Sequence, residues 1–116
     1  MQRIEIESIP LDSQRYDTLG DWFYDSNDTL QIKVSHEDGD CAFLIAIHEL
    51  VEAYLCQHRG ITQRAVDDFD LTFSPEGDEE PGDSAISPYR REHRFAMIIE
   101  HLMAHELGIK NYGEVK

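Results

Sequence analysis

The chain has 116 residues, of which 24 are acidic and 10 basic, giving a net charge of -14 with histidine neutral. That balance excludes the basic surface that nucleic acid and anionic membranes require. The length favours one domain spanning 1–116 with one modest core. No apolar run approaches the roughly 18 to 20 residues that span a bilayer. The opening MQRIEIESIP does not read as a signal peptide, so a cytoplasmic location is expected.

In chain order, RIEIESI (Arg3 to Ile9) alternates with period two and reads as a strand ended by Pro10. DWFY and TLQIKVS also read as extended, and the turn-rich DSND between them predicts a β-hairpin. Residues 1–35 are therefore expected to be β-rich. The aromatics of GDWFYD are expected to pack in the core or the hairpin rather than to receive a ligand.

A central helix is predicted over 40–59, with Asp40 as N-cap and Gly60 as a left-handed C-cap. It contains CAFLIAIHELVEAYLC, the most apolar run of the chain, yet His48, Glu49 and Glu52 lie in its middle. Cys41 and Cys56 on one helix would stand about 22 Å apart, too far for a disulfide. They read as small core hydrophobes.

ITQRAVDDFD predicts a short helix capped by Thr62, and residues 74–86 a long acidic loop, either solvated or a lid. A last helix is expected over 88–107, with Ser87 as N-cap, Pro88 at its first position and Gly108 as C-cap. The tail from Ile109 onward reads as loose. Strands followed by helices make the class α+β. The expected architecture is a small antiparallel sheet, strand plus hairpin, packed on the central helix and the long C-terminal helix.

A helix turns about 100° per residue, so Glu52 falls about 40° from His48, on one apolar face with Leu44 and Leu55. Glu49 lies on the flank of that face. On the last helix His93 and Glu100, seven residues apart, share the side of Ala96 and Ala104, whereas His101 and His105 fall beside Arg91 and Arg94 on a solvated side. Each helix thus turns a histidine and a carboxylate inward. Buried charges must be paired or bound to metal. A structural network, His48 with Glu100 or His93 with Glu52, is the competing reading.

HELVE places a histidine and a second ligand type four residues apart, a spacing that chelates one ion on a helix. The motif resembles the H-E-x-x-H helix of the zincin metallopeptidases, which also place a small sheet before the active helix. That resemblance implies a divalent metal, zinc, held by His48, Glu52 and a third ligand from the last helix, His93, with Glu100 as the alternative or an additional ligand and Glu49 as the catalytic base. Zinc lowers the pKa of a bound water to near 7, and a carboxylate can take its proton. Position 52 is glutamate where the family has histidine, so the ligand set is richer in carboxylate.

The function expected from this resemblance is a small metal-binding protein acting as a zinc-dependent hydrolase of peptide or amide bonds. The substrate is undefined, and a homodimer or larger partner would complete a peptide cleft. A second expectation is a non-catalytic structural or interaction protein with a paired polar core or a structural metal. A third follows from Glu49, Glu52, Asp67 and Asp70, which resemble the clustered carboxylates of MazG-family nucleotide pyrophosphohydrolases that bind magnesium. His58 is expected to face the C-terminal helix dipole, and His36 to sit in a solvated turn.

Overall fold

The computed structural model describes residues 3–73 and 80–112. The architecture is α+β: strands β1 (Arg3–Ser8), β2 (Gly20–Tyr24) and β3 (Thr29–Val34) precede helices α1 (Gly39–His58), α2 (Gln63–Thr72) and α3 (Arg90–Glu106). Short 3-10 turns occupy Leu11–Ser13 and Pro81–Asp83.

β2 and β3 form the expected hairpin. Asp25 closes its turn by accepting from the backbone N–H of Asn27 and Thr29, and Asp28 adopts the left-handed conformation that aspartate tolerates. The strand order is β1-β3-β2, and β1 pairs with β3 in parallel. The expected antiparallel sheet is therefore corrected to a mixed one. The segment 9–19 carries the chain from one edge of β3 to the other, so β1 and β3 run the same way. Alternation in RIEIES specifies a strand but not its direction relative to a partner.

β3 is central and almost wholly buried. α1 packs on β2 and β3 on one side and on α3 on the other. The core joins Trp22, Leu30, Ile32 and Val34 of the sheet to Ala46, Ala53 and Cys56 of α1, Val66 of α2 and Tyr89. β1 lies outside this contact, which leaves Ile4 and Ile6 about half exposed on the edge strand. Both cysteines are free. Cys56 is fully buried, as a small core residue should be, while Cys41 is half-buried.

Helix ends follow local chemistry. Asp38, rather than Asp40, caps α1: its carboxylate accepts from the backbone N–H of Asp40 and Cys41, satisfying donors that the first turn leaves orphaned. Thr62 caps α2 as expected. α1 and α3 both close on a left-handed glycine. Gly60 donates to Gln57 O and Ile61 to Cys56 O, and Gly108 donates to His105 O and Ile109 to Ala104 O, the paired bonds of a Schellman motif.

α3 begins at Arg90, two residues later than Pro88 predicts. Ser87 does accept from the backbone N–H of Tyr89, but it closes a separate turn. Tyr89 is drawn into the core, where its hydroxyl donates to Asp70 at 2.6 Å. Residues 74–79 of the expected acidic loop lie outside the described residues. Residues 80–86 contain the Pro81–Asp83 turn, packed against α3 with Gly82 and Ser84 buried. No helix among the described residues is long and apolar enough to cross a membrane.

Candidate metal centre

α1 presents His48 and Glu52 one turn apart, and α3 brings His93 to meet them. His48, Glu52 and His93 are only 7%, 5% and 6% exposed. A fully buried leucine contributes roughly 1.5–3 kcal/mol, whereas one unpaired buried charge costs several kcal/mol. The cluster must therefore be compensated locally.

Its donor atoms converge. His93 Nδ1 lies 2.8 Å from Glu52 Oε2, His48 Nε2 lies 3.2 Å from the same oxygen, and the two nitrogens are 3.2 Å apart. Tetrahedral ligands about 2.05 Å from a zinc ion stand about 3.3 Å from one another. The triangle is thus close to one face of such a tetrahedron, and the residues fit a divalent ion. The donors are two imidazole nitrogens and one carboxylate oxygen, a set that suits zinc and its first-row neighbours.

Two of these side chains are held from behind. His48 Nδ1 meets Glu100 Oε1 at 2.8 Å, and the Tyr112 hydroxyl donates to the other Glu100 oxygen. Trp22 Nε1 donates to Glu52 Oε1 at 3.0 Å. Such contacts fix ring orientation and leave Nε2 of His48 and Oε2 of Glu52 for the shared point. Glu100, expected as an additional ligand, meets His48 rather than the triangle itself. It contacts the nitrogen of His48 that faces away from the triangle.

The proton inventory explains the electrostatics. With Nδ1–H of His48 donated to Glu100, a neutral His48 presents a lone pair at Nε2. Three electron-rich atoms then face one another, and the cluster attracts positive charge. Burial opposes charge on His48, but hydrogen bonds to Glu100 and Glu52 outweigh it and raise its pKa to about 11. Burial likewise opposes charge on His93, and its contacts with Glu52 and Glu80 raise it to about 9. Burial would raise Glu52, yet its hydrogen bonds to the two histidines lower it to about 2. A site that draws protons this strongly also suits a cation.

Glu49 stands on the flank, packed against β2: a Cβ on Gly20 would lie 3.1 Å from Glu49 Cγ and Oε2 and 2.5 Å from Ile45 Cγ2. Glycine at position 20 therefore lets β2 approach α1. Burial and the neighbouring Glu52 push the Glu49 carboxyl well above its ordinary range, the direction that suits a proton acceptor or donor near neutral pH.

Two residues absent from the sequence reading also reach the cluster. Glu80 Oε2 lies 3.4 Å, and Asp83 Oδ1 3.7 Å, from His93 Nε2. Between them Gly82 covers the ring so closely that a Cβ there would lie 2.3 Å from His93 Cγ. An acidic loop has no periodicity from which to read an inward face. The E-P-G-D run at 80–83 carries one usable signal, a glycine between two carboxylates in a turn-prone sequence.

The remaining candidates lie elsewhere. Asp67 pairs with Arg15, which also holds the buried Asp21, and Asp70 accepts from the hydroxyls of Tyr16 and Tyr89. Among the described residues, neither aspartate joins Glu49 or Glu52 in a group able to hold an ion. His101 and His105 are exposed, as their helix face predicts. His58 stacks on Tyr54 in the last turn of α1, and His36 accepts from the backbone N–H of Asp38. Surface cavities of about 630 Å³ beside Leu11–Asp17 and about 220 Å³ beside Trp22 and Gln63 are not lined by His48, Glu52 or His93. No protein-family model, curated protein or solved structure matches the chain.

Proposed function

We propose that the protein is a small zincin-like metalloprotein that binds one zinc ion through His48, Glu52 and His93 and hydrolyses a peptide or amide bond. The observation that carries this reading is the convergence of three buried donor atoms, 2.8–3.2 Å apart, at one point between α1 and α3. Zinc supplies Lewis acidity and lowers the pKa of a water it binds. With the ion held there, Glu49 would serve as the proton acceptor for the attacking water and would pass that proton to the leaving amine. Glu100 and Trp22 hold His48 and Glu52 in place.

A second reading has a specific observation in its favour. His48 with Glu100 and His93 with Glu52 also make hydrogen-bonded pairs at 2.8 Å, so the same residues satisfy one another as a polar core. Elemental analysis of protein purified without an affinity tag separates the two. About one zinc per chain, lost in His48→Ala, is expected for a mononuclear centre. Absence of metal after reconstitution with zinc would leave the paired polar core.

A further inference from the structure

His93 has a second ring nitrogen that the buried triangle does not use. Nε2 is buried and has no hydrogen-bond partner among the described residues, and the side chain is only 8% exposed. A buried N–H or lone pair left unsatisfied costs about 1–3 kcal/mol. The nitrogen points at Glu80 Oε2, 3.4 Å away, and Asp83 Oδ1, 3.7 Å away, with all three ligand atoms within 4.8 Å of one another. Both carboxylates approach it as long ion-pair contacts, and neither reaches the geometry of a full hydrogen bond. The Gly82 backbone holds the ring in this orientation, and Arg90 fixes the turn by donating to the backbone carbonyl of Asp83, leaving the Asp83 carboxylate uninvolved in that contact.

We propose that His93 Nε2, Glu80 and Asp83 form a second divalent-cation site on the outer side of the His93 ring. Its donors are one nitrogen and two oxygens, which suit zinc or manganese completed by water. Donors about 2.1 Å from one ion stand about 3.0–3.4 Å apart in cis or tetrahedral positions. The gaps of 3.4 Å to Glu80 and 3.7 Å to Asp83 need only small movements of these two side chains, of which Glu80 is largely and Asp83 partly exposed. Sharing of His93 between two ions rests on the buried centre proposed above; the outer cluster stands on its own geometry. When both sites fill, the one N–H of neutral His93 leaves as a proton to solvent and the imidazolate bridges the ions. Its charge and those of Glu52, Glu80 and Asp83 then balance two divalent cations.

The test is calorimetric titration of the metal-stripped full chain with zinc, on wild type, Glu80→Gln/Asp83→Asn and His48→Ala, each checked for folding by circular dichroism. Two binding events are expected in wild type. The double variant should lose the weaker event and keep the tighter, and His48→Ala should do the reverse. A single event kept in His48→Ala and lost in the double variant would support the outer site and refute the buried one. A single event lost in His48→Ala but kept in the double variant would overturn the outer site alone. One event lost in both variants would mean a single ion held jointly, which also overturns a second site. No zinc binding by folded wild type would overturn both.

Discussion

The indole N–H of Trp22 donates to Glu52 Oε1 at 3.0 Å, with both side chains buried. This contact ties β2 to the ionisable face of α1. It also turns Glu52 so that Oε2 alone faces the two histidines. Trp22→Phe keeps an aromatic ring but removes the donor. The expected result is a stability loss of about 1–3 kcal/mol in urea unfolding and zinc affinity weaker by about 10–100-fold in a chelator competition. Wild-type affinity in this variant would remove Trp22 from the support of the centre.

Gly82 offers a second handle, because its backbone lies on the His93 ring. Adding a Cβ there places it 2.3 Å from Cγ and 2.5 Å from Nδ1. Either the ring rotates out of the triangle or the 81–83 turn lifts away. Gly82→Ala should cost about 1–3 kcal/mol and weaken zinc binding by about 10-fold or more. Gly39→Ala is the control: a Cβ at Gly39 meets nothing within 4 Å, and its effect should stay within about 0.5 kcal/mol.

Glu49→Gln separates binding from chemistry. The amide keeps the shape and removes the proton acceptor. Zinc content measured by elemental analysis should be unchanged, while hydrolysis of a responsive peptide or amide substrate should fall by about 10²–10⁴-fold. Loss of zinc would instead make Glu49 a ligand, and unchanged turnover would remove it from the reaction.

Helical periodicity was sufficient to place His48, Glu52, His93 and Glu100 inward, because α1 and α3 are regular and each packs one apolar face. It could not say which of their atoms converge, since which nitrogen of His48 meets Glu100 depends on how the two helices cross. The parallel pairing of β1 was hidden for a related reason: strand direction is set by a long-range connection, whereas alternation is local. Trp22 was expected as packing, and it is in the core. Its second role depends on where the indole N–H ends up, which hydrophobicity does not encode. Tyr112 lies in a tail that reads as loose, yet its hydroxyl donates to Glu100. Glu80 and Asp83 sit in a segment whose composition resembles solvated loop. The glycine between them carries the structural information, by allowing contact that any Cβ would prevent.

The raised histidines and lowered Glu52 make the stability of the metal-free chain depend on pH. A histidine whose folded pKa is raised stabilises fully below its unfolded value, about 6.5. That contribution is lost as pH rises through the folded values, about 9 for His93 and about 11 for His48. Glu52, lowered from 4.5 to about 2, stabilises above its unfolded value and loses that contribution as pH falls toward 2. Asp70 acts in the other sense. Burial raises it from 3.8 to about 6, so its cost accrues over that range and is constant above it. Urea midpoints of metal-free protein should therefore fall steadily from pH 6.5 to 11. Zinc affinity should move oppositely over the lower part of this range, where the ion must displace protons from the two histidines. The stabilisation by zinc, taken as the difference between midpoints with and without the ion, should grow from pH 6 to 9. A difference that shrinks over that interval would mean zinc binds at groups other than His48 and His93.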